Sequence, residues 1–368
     1  MHAGRHYSLV EVMFWTRRET AIFVAIASVP TLLFTLAGWT WLGVPWLPIA
    51  LVGTAVAFIT GFKNNASYGR LWEARQIWGG IVNTSRSFTA QVLSFVEDEE
   101  AHARLVHRHL AWMTALRFAL REPRTWENQQ RGDNAEYRVW FRVPEHDGDL
   151  GTELAKLIDA DEHAYVLARK NRATHLIALQ SRTLAGLARA GRISEYKHVE
   201  LERTLALLLE HQGKCERIKN FPYPRQFATL NLLFVWMFIV LVPFGLLLEF
   251  QKLGPGLVWM TIPCGVIVAW VFHMMDKIGE SSENPFEGGP NDVPISAMSR
   301  AIEIDLREML GEELPEHVAH ALAGVSPEFL HGAFNAISQS PGGVEGYLRD
   351  AMGVDEAWRR KAEKLLLE

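Results

Sequence analysis

For 43 consecutive residues, Thr20–Phe62, the chain carries no Asp, Glu, Lys, Arg or His. A helix rises about 1.5 Å per residue, so the stretch is roughly twice as long as the ~30 Å hydrocarbon core of a bilayer. Uncharged runs of this length are rare in water-soluble cores, which makes a buried soluble hairpin the weaker reading. The middle of the run, Gly38–Pro48, supplies Gly, Pro and three Trp. Tryptophan favours a membrane–water boundary because its ring is amphipathic. The stretch therefore reads as a helical hairpin with its tip at one interface.

The pattern recurs. Gln226–Leu248 is free of ionisable residues, Glu249 and Lys252 intervene, and Leu253–Met275 follows with His273 alone near its end. Each segment is long enough to span once. Each Asp, Lys or Arg at a helix centre would cost about 2.5–3.5 kcal/mol to insert. The expectation is four transmembrane helices in two hairpins. A mean hydropathy of +0.01 conceals this, because the charge is so unevenly distributed. Basic residues flank the segments on one side: Arg17 and Arg18, Lys63, Arg70 and Arg75, Arg217, Lys219 and Arg225, and Lys277, against Lys252 at the tips. This bias predicts a multi-pass protein of the inner (plasma) membrane with both termini cytoplasmic. The opening MHAGRHYSLVEV lacks the apolar stretch of a cleavable signal peptide.

The expected organisation is a cytoplasmic segment 1–19, a membrane hairpin 20–62 and a cytoplasmic helical region 63–225. A second hairpin at 226–275, a post-membrane region 276–311 and a helical tail 312–368 complete it. Within 63–225, Leu71, Ile77, Ile81 and Val82, then Leu105, Leu110, Met113, Leu116 and Phe118, recur at helical spacing. Residues 121–154 contain Pro123, Gly132, Asp133, Pro144, Gly148 and Gly151, which predicts a surface loop. A helix is expected from about Ile295 to Gly311.

Catalytic signatures are absent: no GxxxxGK[ST], GxGxxG, HExxH or GxSxG occurs. With no nucleophile–base pair visible, an enzyme is a distant reading. Two cysteines, Cys215 and Cys264, make neither a disulfide framework nor a Cys-based zinc site. His102, His107 and His109 read as a solvated helix face. His317 and His320 have metal-couple spacing but lack a surrounding carboxylate–His pattern, so no metal or cofactor is expected. The acidic run Glu97–Glu100 reads as a helix end or solvated loop. Lys+Arg 37 against Asp+Glu 42 gives a net charge of -5, which offers nucleic acid no basic field.

The second apolar segment is distinctive. Gly53, Ala55, Ala57 and Gly61 are small, while Thr54, Phe58 and Phe62 recur every fourth residue on one face. Small residues let helices approach closely in lipid, where no hydrophobic effect drives their association. From pattern alone the Thr54/Phe58/Phe62 face points either to lipid or to a shared axis, with lipid or core packing favoured.

The segment runs on as FKNNASYGRLWEARQIWGG, which resembles the prokaryotic branch of the bestrophin family. The matching residues are Asn64, Asn65, Tyr68, Arg70, Glu73 and Arg75. CERIKNFPYP before the third segment, ENPF (with Asn284, Pro285 and Phe286) after the fourth, and NDVPISAMSRAIEIDLREMLG agree in order. The resemblance spans Phe62 to Gly311. It implies a homopentameric channel, each subunit an all-α membrane protein with four transmembrane helices and a cytoplasmic helical bundle. In that family the second helix lines a hydrophobic neck, which places Thr54, Phe58 and Phe62 around a central pore and reverses the lipid-facing reading. Rings of apolar side chains can gate by dewetting. Thr54 departs from the usual apolar residue, which predicts a wetter outer ring. A second, cytoplasmic constriction falls at Tyr196. The implied partners are further copies of the chain, membrane lipid and permeant ions: chloride or other small anions first, sodium or potassium as the alternative. A membrane-anchored interaction or sensor protein without flux is the rival class. The eukaryotic calcium clasp is a run of acids after the NPF-like motif; only Glu287 and Asp292 stand here, too few for a hard-cation site.

Overall fold

The computed structural model describes residues 9–127, 143–289 and 291–314. They divide between two compact units, Met1–Ile302 and Glu303–Glu368. The first unit opens with α1 (Leu9–Trp15) and α2 (Arg17–Thr35), and a 3-10 turn at Thr40–Leu42 leads into α3 (Trp46–Phe95). Next come α4 (Glu99–Arg121), α5 (Pro144–Asp147), α6 (Leu150–Leu154), α7 (Ala160–Leu167), α8 (Arg172–Arg189) and α9 (Glu195–Asn220). A second apolar pair, α10 (Arg225–Leu253) and α11 (Thr261–Ser281), is joined by a 3-10 turn at Pro255–Met260, and α12 (Ile295–Leu310) follows. No strand occurs among the described residues.

Among the described residues, four helices are long and apolar enough to cross a membrane: α2, the first part of α3, α10, and α11 with its preceding turn. At 50 residues, α3 is about 75 Å long, more than twice a bilayer core. Its apolar arm passes at Lys63 into a polar arm without a break in the helix.

The arms of the first hairpin are splayed. α2 packs on α11 and α10, α3 packs on α10 and α11, and the second hairpin thus lies between them. A core of Phe23, Ile49, Val56, Val235, Phe238, Ile239, Val242 and Ala269 joins all four helices. Of the small residues in α3, Gly53 makes the close approach. A Cβ there would lie 2.6 Å from the Phe238 ring, whereas one on Gly61 would meet nothing within 4 Å. At the tips Phe34, Leu42, Leu247 and Val258 form a second small core. Trp39 stacks on Trp41 there, ring centroids 5.9 Å apart, as suits an interfacial position.

In the polar part, α9 packs along α3 and α8, and α4 packs on α8 and α3. α4 is buried almost all round, with Trp112, Leu105, Leu110, Met113 and Leu116 inside. Its Arg108 is buried and grips Glu162 through Nε (2.8 Å to Oε2) and Nη2. Gln180 (3.0 Å) and Thr183 (2.8 Å) accept from Arg108 Nη1. Among the described residues, Asp149 and Asp159 cap the short helices α6 and α7, and Asn171 caps α8, each by accepting a backbone N–H: from Thr152, Glu162 and Thr174 respectively.

Two expectations change. The described parts of 121–154 are not all surface loop: α4 reaches Arg121, and α5 and α6 carry buried Glu145 and Leu154. Glu145 is drawn inward by Arg117 at 3.2 Å and by the Ser296 hydroxyl at 2.7 Å. His109 is not solvated but buried, with Phe88 and Trp112 each 5.2 Å away. Burial lowers its pKa to about 3. His102 instead lies 2.9 Å from the Val96 carbonyl. His317 and His320 lie outside the described residues.

In the second unit, α12 ends as expected. Gly311 takes φ +72° and Glu312 N–H donates to the Arg307 carbonyl, which closes the helix C-terminus. Arg307 pairs with Glu303 at 3.2 Å and Glu312 at 2.8 Å.

Candidate functional site

One face of α3 is left open by every described part of the chain. Helical periodicity places Leu47, Leu51, Thr54, Phe58 and Phe62 on it, then Asn65, Trp72, Gln76 and Asn83, all exposed. The first five are apolar or nearly so; the last four lie in the polar arm. Phe58 is 67% exposed and Phe62 59%, and their rings meet at 4.6 Å and 90°. The structure therefore brings Thr54, Phe58 and Phe62 together on one uncovered row. The Thr54 hydroxyl donates to the Ala50 carbonyl at 3.0 Å, so its proton is held by its own helix rather than offered outward.

The opposite face of α3 is buried: Val56, Thr60, Lys63, Ser67, Leu71 and Ala74. A chain of polar contacts runs through it. Thr60 Oγ1 donates to Asn231 Oδ1 (2.9 Å), and Asn231 Nδ2 donates to Asp276 Oδ1 (2.7 Å). Lys63 Nζ pairs with the same Asp276 oxygen at 2.6 Å. Both charged partners are at most 5% exposed. One residue on, Asn64 Nδ2 donates to the Met275 carbonyl at 2.8 Å. Nearby, Lys277 pairs with Glu19 and lies 4.8 Å over the Trp15 ring. Three of the basic residues counted as flanking charge, Lys63, Lys277 and Lys219 (the last paired with Glu127), are thus buried and neutralised by carboxylates.

The motif residues beyond Asn64 divide by role. Arg70 donates to three carbonyls: Ile218 (2.9 Å) and Phe221 (2.8 Å) at the end of α9, and Glu283 (2.9 Å) after α11. Glu73 pairs with Arg217, and with Arg70, Ile218 and Phe221 they line an open crevice of about 290 Å³. Tyr68 stacks on Trp72, centroids 6.5 Å apart. Asn65 and Arg75 are exposed.

After α11, Phe286 is 1% exposed and the Pro285 carbonyl accepts from Val293 N–H at 3.1 Å. Asn284 Nδ2 donates to Glu287 Oε1. Asp292 Oδ2 accepts backbone N–H bonds from Gly288 (2.7 Å) and Gly289 (2.9 Å), and Arg121 Nη1 lies 3.9 Å away. Burial pushes the Asp292 carboxyl above the usual carboxylate range, against the pull of Arg121. Lys219 forms a buried pair with Glu127, and burial lowers the ammonium pKa. No group of three or more His, Cys, Asp and Glu placed to hold a metal occurs among the described residues.

Tyr196, the second residue of α9, is 87% exposed. The neighbouring Lys197 ammonium lies over Phe95, the last residue of α3. Tyr196 is therefore near the far end of that helix, about 50 Å along it from Phe62. Asn231 and Asp276 were not singled out from sequence. Asn231 is uncharged and hides inside an apolar run, while Asp276 stands one residue past the end of another.

The sequence matches the family described as Bacterial/Fungal Bestrophin protein over residues 11–308. The family described as Tyrosine phosphatase matches residues 296–368, a stretch that contains neither of the two cysteines. A voltage-dependent anion channel-forming protein, YneE, of Salmonella typhi is 28% identical over 277 residues, covering 74% of this chain and 80% of that protein. A protein of the same description from Ralstonia nicotianae, RSc3414, is 30% identical over 278 residues, 73% of this chain and 81% of its own. Among solved structures, a bacterial bestrophin homologue from Klebsiella pneumoniae superposes with a TM-score of 0.69. It is 24% identical, with 82% of this chain and all of that one covered. On the strength of a match that runs from the first helix into the last, this chain belongs to the bacterial and fungal bestrophin family.

Proposed function

We propose that the chain is one subunit of a homopentameric ion channel that passes chloride or other small anions through an axial pore lined by α3. The observation that carries this reading is the uncovered row Thr54/Phe58/Phe62, backed by a face fixed in place by buried polar contacts. A single helix cannot encircle a path, but cyclic symmetry repeats the row around an axis and closes a ring. A ring of phenylalanines then forms a dry constriction whose hydration decides whether ions pass. Tyr196 would form a second ring at the cytoplasmic end.

Anion preference is supported by the names of the relatives and by ring geometry. An aromatic ring carries positive charge on its edge and negative charge on its face. Because the Phe58 and Phe62 rings are perpendicular, they cannot both turn their faces to one axis. At least one presents an edge. The membrane is read as the inner membrane, with hairpins 20–62 and 226–275 inside it. The helical region 63–225, the segment 276–311 and both termini lie on the cytoplasmic side.

Purified protein in planar bilayers under a potassium chloride gradient tests the reading. Reversal near the chloride equilibrium potential is expected. Reversal on the cation side rejects the anion version and favours sodium or potassium. Absence of current, with no ring-sized mass in detergent, rejects the channel and favours a membrane-anchored sensor.

A further inference from the structure

We infer that the buried Lys63–Asp276 pair, with Asn231 and Thr60, sets the rotation of α3 and so decides which side chains the pore-facing row presents. The inference rests on the channel reading and adds positioning residues that do not themselves touch the ion path.

The membrane arm of α3 is apolar on nearly all sides. Ile49, Val52, Val56 and Ile59 are as greasy as Phe58 and Phe62. In lipid such a helix gains little from burying one apolar face rather than another, so hydrophobicity leaves its rotation poorly specified. A turn of one residue, about 100°, would replace Phe58 and Phe62 on the open row by Ala57 and Gly61, or by Ile59 and Lys63. The first exchange empties the neck of aromatic rings; the second puts a charge in it.

Polar contacts in a water-poor site are directional and costly to break. Thr60 and Lys63 flank the level of Phe62 on the opposite side of the same helix. Their partners come from two other helices: Asn231 from α10, at 2.9 Å, and Asp276 from α11, at 2.6 Å. The 2.7 Å bond between Asn231 and Asp276 ties those partners to each other. Any rotation of α3 would strand an ammonium and a carboxylate away from water. At Gly279 of α11 a side chain would collide with Asn64 Oδ1, so the two helices are also too close there to slide freely.

The test compares Asp276→Asn, Lys63→Met, Lys63→Arg and Thr60→Val with the unaltered protein, reading reversal potential, unitary current and mass in detergent. Asp276→Asn and Lys63→Met should assemble at the unaltered mass and shift both electrical readouts. Lys63→Arg, which keeps the pair, should restore them. Thr60→Val, which removes only the outermost bond, should shift them less and in the same direction. A merely structural pair would change the yield of assembled channel and leave the reversal potential unmoved. Assembled Asp276→Asn and Thr60→Val channels with unaltered reversal potential and current would overturn the inference. So would Lys63→Arg deviating as far as Lys63→Met. Should Asp276→Asn fail to assemble, Thr60→Val alone decides. Unaltered protein that carries no current removes the channel reading instead, and this inference with it.

Discussion

Phe58 and Phe62 are apolar, large and uncovered, which for a residue of a membrane helix means either lipid or a cavity made by other copies. If they ring a pore, trimming them widens it. Phe58→Ala and Phe62→Ala should each raise unitary current, by on the order of twofold or more for a neck that limits flow by dewetting. Unchanged current and selectivity in both variants would place the rings elsewhere. His109 makes a different prediction. Burial lowers its pKa to about 3 from an ordinary 6.5. Between those values the unfolded chain binds a proton that the folded chain refuses. Stability is therefore full above pH 6.5 and falls as pH drops toward 3, by up to about 1.4 kcal/mol per pH unit. Thermal unfolding between pH 7 and 4 should show this slope, and His109→Phe should flatten it. Arg108 is buried with its charge held by Glu162. Arg108→Ala leaves a largely buried carboxylate unpaired and should cost about 3–5 kcal/mol, seen as a lower unfolding midpoint.

At the scale of elements, Gly53 shows how α3 and α10 meet. A methyl group there would press on the Phe238 ring at 2.6 Å. Gly53→Val should destabilise the subunit by about 1–3 kcal/mol through overpacking, read as loss of folded protein on heating in detergent. The loop after α11 carries another consequence. The Asp292 oxygen nearest Arg121 already accepts two backbone N–H bonds, and Glu287 accepts from Asn284. These two carboxylates, each with an oxygen already engaged, supply too few oxygens for a calcium clasp, so currents recorded with a calcium chelator should match those recorded without it. Calcium-dependent current would contradict this.

The four membrane helices and their tip tryptophans were legible in sequence because charge exclusion from lipid is a coarse signal that needs no neighbours. The Gly311 stop was legible for the same reason, being local. The polar network behind α3 was not. Asn231 is the seventh residue of α10 and Asp276 stands near the end of α11, and only the fold brings either to α3. His109 and the 121–154 stretch misled in the same way: their residue types favour water, and burial is decided by Phe88 and Trp112 against His109 and by Arg117 against Glu145.

At the scale of the whole molecule, the splayed first hairpin leaves α3 packed on α10 and α11 along one side only. Its open row, apolar for about 24 Å from Leu47 to Phe62 and polar beyond, suits a surface that five copies close around an axis. The most direct test places a thiol on that row. Cys215 is buried with its pKa pushed up by desolvation, and Cys264 is half-buried, so unaltered channels should be indifferent to a charged thiol reagent. Phe58→Cys channels in a bilayer should lose or sharply change their chloride current within minutes of the reagent's addition. Phe58→Cys current that persists unaltered, after mass measurement has shown the thiol to be modified, would mean that the row does not face the ion path.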